Sequence, residues 1–282
     1  MKGDQMKTCM ISVDVEQDIG EQQTFYGVES LHKILNIFDE FKLKATLFIT
    51  GEVLENYSKP VQGWAKQHEI ACHGYYHVPL YELSIPERKK QLEDFCSLYE
   101  EILHTKAKGF RAVKHTIDDT QLALLERLGF TYDSSVIPRY IPFRRYVGYK
   151  GNAPTEPYNP SHDDYRQKGN MRIWEIPNTP LLLGISLYGT WLRLLGPGFF
   201  RALLALKKPQ FISVAMHSWD AIQYKGSFSR NSGDRFLEYL EDLINILKGH
   251  GYVFMNGETL VSSLSKNRVK PNATQKEKRT SD

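Results

Sequence analysis

His73 and His77 stand four residues apart in Cys72-His73-Gly74-Tyr75-Tyr76-His77, a spacing that lets one turn of helix or a tight loop aim both imidazoles at a single metal ion. Upstream, Asp14 and Glu16 alternate with Val13 and Val15 in an apolar run over residues 10–16. The period of two of a strand puts both carboxylates on one face. Two imidazoles and one carboxylate form a three-ligand set that leaves a position open to water, as catalytic sites do and structural ones do not. On residue types alone either Asp14 or Glu16 serves as the ligand, with Asp18 as a third candidate, and zinc is the favoured ion.

The carboxylate that does not bind metal is then available as a general base. Hydrolysis of an amide also needs an acid for the departing nitrogen, and His217, at the end of the apolar run 211–216, can supply a proton near neutrality. Arg111, directly after Phe110, is placed to orient the base or depress its pKa through a charge-assisted hydrogen bond. Asp133, Glu175 and Asp220 are each candidates to orient His217, and spacing does not choose among them.

These side chains need a scaffold that brings distant parts of the chain to one rim. Strand patterns are expected at 10–16, 45–49, 69–71, near Phe110 and Tyr132, and at 173–176, 211–216 and 252–254. Helical patterns fall between them: Leu31, Ile34, Leu35 and Phe38 after a Ser30 cap, a run broken at Pro60, a long helix from Pro86 to about Leu103, one from Asp119 to Leu128, and Phe236, Leu240, Leu243 and Leu247. Alternation of this kind predicts a parallel sheet with helical crossovers, either closed into a barrel or doubly wound. Asp14, His73, Arg111, Asp133 and His217 all fall at or just beyond the C-terminal end of a predicted strand, the rim that carries the active site in barrel enzymes.

The 282 residues suit one domain of barrel size over 1–265, followed by a polar tail over 266–282 that is expected to be disordered. A formal charge of +3 without a basic, aromatic-studded stripe argues against nucleic acid. Three cysteines without paired spacing, and a polar N-terminus without a long apolar run, point to the cytoplasm. Residues 140–171 are expected to form long loops. The apolar stretch 181–206 is broken by prolines, glycines and arginines; it reads first as core plus a packed helix and second as a face for a membrane or a lipid-linked substrate.

In order, these motifs resemble the polysaccharide deacetylase family, which shares the chitooligosaccharide deacetylase homology domain. Val13-Asp14-Val15-Glu16 resembles its first motif in a D-x-D/E form, and residues 68–77 resemble its G-H-E-I-x-x-H-[ST/G]-x-x-H segment, with Gln67 in the place of the usual glycine. Gly109-Phe110-Arg111-Ala112 is similar to the start of G-F-R-A-P, with Val113 replacing proline. Tyr132-Asp133-Ser134, Trp174-Glu175-Ile176-Pro177, residues 189–195 and Met216-His217-Ser218-Trp219-Asp220 are similar to a branch associated with surface and exopolysaccharide synthesis, from which Ser218 and Asp220 depart.

The resemblance implies a distorted (β/α)7 barrel in a single domain, with Asp14 as base, Glu16, His73 and His77 as metal ligands and His217 as acid. Trp219 joins Asp133, Glu175 and Asp220 among residues that orient His217 or bind substrate. The implied activity is metal-dependent, zinc being the expected ion: removal of N-acetyl groups from amino sugars of a cell-surface glycan or its precursor, in the cytoplasm or at the inner face of the membrane. A cyclic-amide hydrolase related to allantoinase, and a non-catalytic glycan-binding protein on the same fold, are the alternatives.

Overall fold

The computed structural model describes residues 6–19, 24–138, 152–178, 180–182, 185–225 and 229–269. The central strand β1 (Thr8–Val15) has seven of its eight residues buried, as expected for a strand covered on both faces. It leads through α1 (Tyr26–Glu29) and α2 (His32–Glu40) to β2 (Thr46–Ile49). Two short helices follow, α3 (Gly51–Asn56) and α4 (Ser58–Trp64), then β3 (Glu69–Cys72) and the long α5 (Ile85–Leu103).

Next come β4 (Gly109–Phe110), α6 (Asp119–Arg127), β5 (Tyr132–Asp133) and β6 (Trp174–Glu175). A hairpin of β7 (Pro180–Leu182) and β8 (Ile185–Tyr188) precedes α7 (Gly189–Lys207). The chain then passes through β9 (Phe211–His217), α8 (Asp234–Gly249), β10 (Val253–Met255) and α9 (Gly257–Val269).

The strands form one curled sheet in the order β6-β5-β4-β3-β2-β1-β9-β8-β7, with β10 also paired to β1. Apart from the antiparallel β7–β8 pair, the ladders between these strands are parallel. The result is the expected distorted (β/α) barrel, left open between β6 and β7. Both β10 and β2 lie along β1: β10 pairs its first half (Thr8–Met10) and β2 its second (Ser12–Val15).

Strand parity divides the core into two. Cys9, Ile11, Val13 and Val15 of β1, Leu47 and Ile49 of β2 and Ile70 and Cys72 of β3 pack in one large cluster with the helices. The alternate residues point into the barrel, where Met10, Phe48, Ala71, Tyr132 and Phe211 meet Leu260 and Val261 of α9, which closes the bottom. Inside positions at the strand C-termini are polar: Asp14 on β1 and His217 at the end of β9, with His73 and Arg111 one residue beyond β3 and β4.

Several local expectations change in the structure. Ser30 does not cap α2, whose N-cap is Leu31 without a side-chain bond. The break assigned to Pro60 falls at Tyr57, and Pro60 sits in the first turn of α4, where its missing N–H costs nothing. Ser84 and Glu87 form a capping box ahead of α5, and Asp118 caps α6 by accepting from Gln121 N. The stretch 181–206 is a hairpin plus α7, kinked at Gly196, whose φ of 73° suits glycine, ahead of Pro197. Helix α9 continues through Val269, so the tail expected from Lys266 begins as helix; residues 270–282, and 139–151 of the expected loop, lie outside the described residues. Among the described residues, no helix is long and apolar enough to cross a membrane.

Candidate active site

Register brings the site together. Asp14 pairs with His217 across β1 and β9, and Cys72 pairs with Phe110 across β3 and β4, which sets His73 beside Arg111. At the rim, Glu16 Oε2 lies 3.0 Å from His73 Nε2 and 2.8 Å from His77 Nε2. The three donor atoms fall within 4.8 Å of one another. The donor set of two imidazole nitrogens and one carboxylate oxygen fits a zinc-like divalent ion. His73 Nδ1 donates to the Arg111 carbonyl at 2.8 Å, which fixes the ring and directs the other nitrogen toward Glu16, as such a bond does for a metal-ligating histidine.

Burial opposes ionisation of Glu16, but hydrogen bonds from His73 and His77 outweigh it and hold the carboxyl well below its ordinary value. His73 shows the converse: burial disfavours its cation, and Glu16 and Asp14 raise its pKa overall. Asp18, the third ligand candidate, is not in the cluster. Its two oxygens accept from Thr24 Oγ1 at 2.8 Å and Gly27 N at 2.9 Å, and tie down the loop after β1.

Asp14 is 2 % exposed and Arg111 fully buried. Arg111 Nη1 donates to Asp14 Oδ1 at 2.6 Å, while its Nε and Nη2 donate to Ser134 O and Ser134 Oγ, each at 3.1 Å. The guanidinium carbon lies 4.1 Å from the centroid of the Phe48 ring. Burial would raise the Asp14 pKa, but Arg111 first, then His73 and His217, bring it below its usual value. An ionised carboxylate next to the three-ligand cluster is the state a general base needs.

His217 faces this pair. Its Nε2 is 3.3 Å from the Tyr188 hydroxyl and 3.9 Å from Glu16 Oε1. Trp219 stacks on the imidazole, with centroids 4.0 Å apart and 13° between planes, and donates Nε1–H to Glu16 Oε1 at 3.1 Å. Of the three acids considered for orienting His217, the structure places only Asp220 against it. Asp220 Oδ2 accepts the His217 N–H at 3.0 Å and lies 3.6 Å from Nδ1. Burial lowers the His217 pKa, but Asp220, Glu16 and Asp14 outweigh it and raise it overall.

Asp133 and Glu175 do not reach His217, and parity is the reason. Tyr132 and Ile176 point into the barrel, so Asp133 and Glu175, register partners on β5 and β6, point out. Burial raises both carboxyls, and the neighbouring Asp133 charge pushes that of Glu175 well up. Asp133 also accepts from Ser135 Oγ at 2.6 Å, and Ser135 Oγ accepts from Ala112 N at 2.8 Å. The two acids therefore buttress the segment that carries Arg111.

The sequence reading missed Tyr188, whose hydroxyl donates to Asp14 Oδ2 at 2.5 Å, and Arg193, which grips Asp220 Oδ1 at 2.9 Å. Tyr188 ends β8, so the strand-end rule that found His217 applies to it as well; the apolar character of its surroundings concealed it. A cavity of about 510 Å³ opens over Asp14, Glu16, His73 and His77, walled by Tyr188 and His217, with Lys114, Trp191 and Leu194 further out. A larger groove of about 640 Å³, lined by Lys108, Arg127, Arg172 and Trp174, lies by the N-terminal ends of β4, β5 and β6, away from these groups.

Residues 7–132, from β1 into β5, match the family model described as polysaccharide deacetylase, and that stretch holds Asp14, Glu16, His73, His77 and Arg111. Over residues 7–132 the chain is similar to the polysaccharide deacetylase family. The chain is 34% identical to a peptidoglycan deacetylase-like protein of Gibberella zeae over 116 residues, which make up 40% of this chain and 34% of the relative. The match thus spans about a third of the fungal protein's length.

The fold extends further than the sequence match. A Mycobacterium smegmatis protein described as a polysaccharide deacetylase superposes with a TM-score of 0.70 at 18% identity, covering 96% of this chain and 95% of its own. An allantoinase superposes with a TM-score of 0.67 at 14% identity, over 96% of this chain and 94% of its own. Tyr188, His217 and Asp220 lie outside the family-matched stretch.

Proposed function

We propose that the chain is a metal-dependent N-deacetylase of amino sugars in a cell-surface glycan or its precursor. The observation that carries this reading is the convergence of an arginine-held carboxylate, a His-His-Glu donor set and a histidine stacked on tryptophan around one cavity.

In this reading Glu16, His73 and His77 hold the ion, most simply zinc. When bound, a divalent ion supplies Lewis acidity toward the acetyl oxygen and lowers the pKa of water to about 7. Asp14, kept ionised by Arg111, takes a proton from the attacking water. His217, with its ring fixed by Trp219 and Asp220, gives a proton to the nitrogen as the carbon–nitrogen bond breaks. Ligand-free positions in a three-ligand site leave room for both water and substrate. Leu194, 39% exposed on the cavity wall, supports a polymeric or lipid-linked substrate, handled in this reading in the cytoplasm at the inner face of the membrane.

The test is acetate release across N-acetylated chitooligosaccharides, nucleotide sugars and lipid-linked sugars, with and without a chelator. Chelator-sensitive acetate release is expected. Ring-opened product from a cyclic ureide, with no acetate from any sugar, would replace this reading by the allantoinase-like one.

A further inference from the structure

The structure assigns to Tyr188 the role of a positioning residue that bridges the base and the acid and holds the proton of His217 on Nε2, the nitrogen facing the cavity. This rests on the proposed acid–base roles of Asp14 and His217. A tyrosine hydroxyl has one hydrogen to donate and lone pairs to accept with. Asp14 Oδ2, at 2.5 Å, is the short contact, and an ionised carboxylate can only accept, so the hydroxyl hydrogen is committed there.

What remains toward His217 Nε2, at 3.3 Å, is the oxygen's lone pair. That contact is a hydrogen bond only when Nε2 carries hydrogen. An imidazole with its hydrogen on Nδ1 would set two lone pairs against each other. Tyr188 therefore favours a hydrogen on Nε2, the one that the cationic ring passes to the departing nitrogen while Nδ1, facing Asp220 Oδ2 at 3.6 Å, keeps its own.

The rest of the environment keeps Tyr188 in place. It ends β8, where it pairs in register with Ala215, two residues before His217 on β9. Its ring is flanked by His115 (centroids 5.6 Å apart, edge-on) and by His217 itself (5.1 Å). His115 is anchored in turn by a bond from Nδ1 to Ser135 O at 3.1 Å. Nothing about the tyrosine is redundant with Arg111, which occupies the other oxygen of Asp14.

Tyr188→Phe keeps the ring and its edge contact and removes only the hydroxyl. In the zinc-loaded enzyme acting on N-acetylated chitotetraose, kcat should fall about 10- to 100-fold, with KM within about twofold and zinc content unchanged. Nitrogen-15 NMR of the histidine rings should show His217 Nε2 protonated in the wild type and shifted in Tyr188→Phe. Wild-type kcat in Tyr188→Phe, a loss confined to KM, or an unchanged Nε2 signal overturns the assignment. Should the wild type release no acetate, the deacetylase reading falls, and the ring-nitrogen spectra decide on Tyr188 by themselves: a shifted Nε2 signal upholds the bridge and an unshifted one refutes it.

Discussion

Arg193 Nη1 and Asp220 Oδ1 lie 2.9 Å apart, both nearly excluded from solvent, and the other oxygen of that carboxylate takes the backbone N–H of His217. Gly189 makes this possible, since a Cβ there would sit 2.2 Å from Asp220 Oδ2. Asp220→Ala is expected to cost about 3 to 5 kcal/mol of stability, because it takes the counter-charge from a buried guanidinium. Gly189→Ala should displace the carboxylate and cost about 1 to 3 kcal/mol through overpacking. Denaturant unfolding checks both, with acetate release lowered in each.

Arg111 carries a second buried pairing. Arg111→Met should abolish acetate release within assay limits and destabilise the fold by about 3 to 5 kcal/mol, because Asp14 would be left as an uncompensated buried charge. Arg111→Lys restores the charge but not the fork that serves Asp14 and Ser134 together. It should recover much of the stability while kcat stays about 100-fold down; full activity in the lysine variant would show that charge alone suffices.

Much of this site was legible because the groups lie where strands end. Asp14, Glu16, His73, Arg111 and His217 were visible from apolar runs followed by a polar residue, and the parallel register then places them side by side. Two-residue strands defeat the same logic: β5 and β6 are too short to show alternation, so nothing in the sequence reveals that Asp133 and Glu175 face outward. Tyr188 was hidden for a different reason. It stands at a strand end like the others, but the apolar run around it gives no sign that its hydroxyl meets Asp14 and His217, partners that tertiary structure brings to it. The choice of Asp220 over the other acids likewise depends on the turn that folds it back onto the His217 backbone.

The bottom of the barrel makes a pH-dependent prediction. Glu69 accepts from Tyr132 Oη at 2.7 Å, Thr46 Oγ1 at 2.8 Å and Glu258 N at 3.0 Å, and so docks the start of α9. Burial nonetheless dominates and raises its pKa from 4.5 to about 7. Between these values the folded chain holds a proton that the unfolded chain has released, so the stabilising contribution is complete below about 4.5 and is lost as pH rises toward about 7. The loss amounts to about 3 kcal/mol. Unfolding free energies at pH 5 and pH 8 should differ by about that much more in the wild type than in Glu69→Gln; equal differences in the two proteins would contradict it.

Ligand removal addresses the donor set one residue at a time. Glu16→Gln keeps the size of the side chain and the bond from Trp219 but lowers its affinity for a cation, so zinc affinity measured by competition with a chromophoric chelator should fall at least about 10-fold. An unchanged affinity would remove Glu16 from the proposed ligand set.

The most direct measurement pairs zinc content with acetate release from N-acetylated chitotetraose in the wild type and in His73→Ala. One bound ion and chelator-sensitive acetate release in the wild type, both lost in His73→Ala, is the result expected from the convergence of Asp14, Glu16, His73, His77 and His217. A His73→Ala protein that releases acetate at the wild-type rate without metal would contradict it.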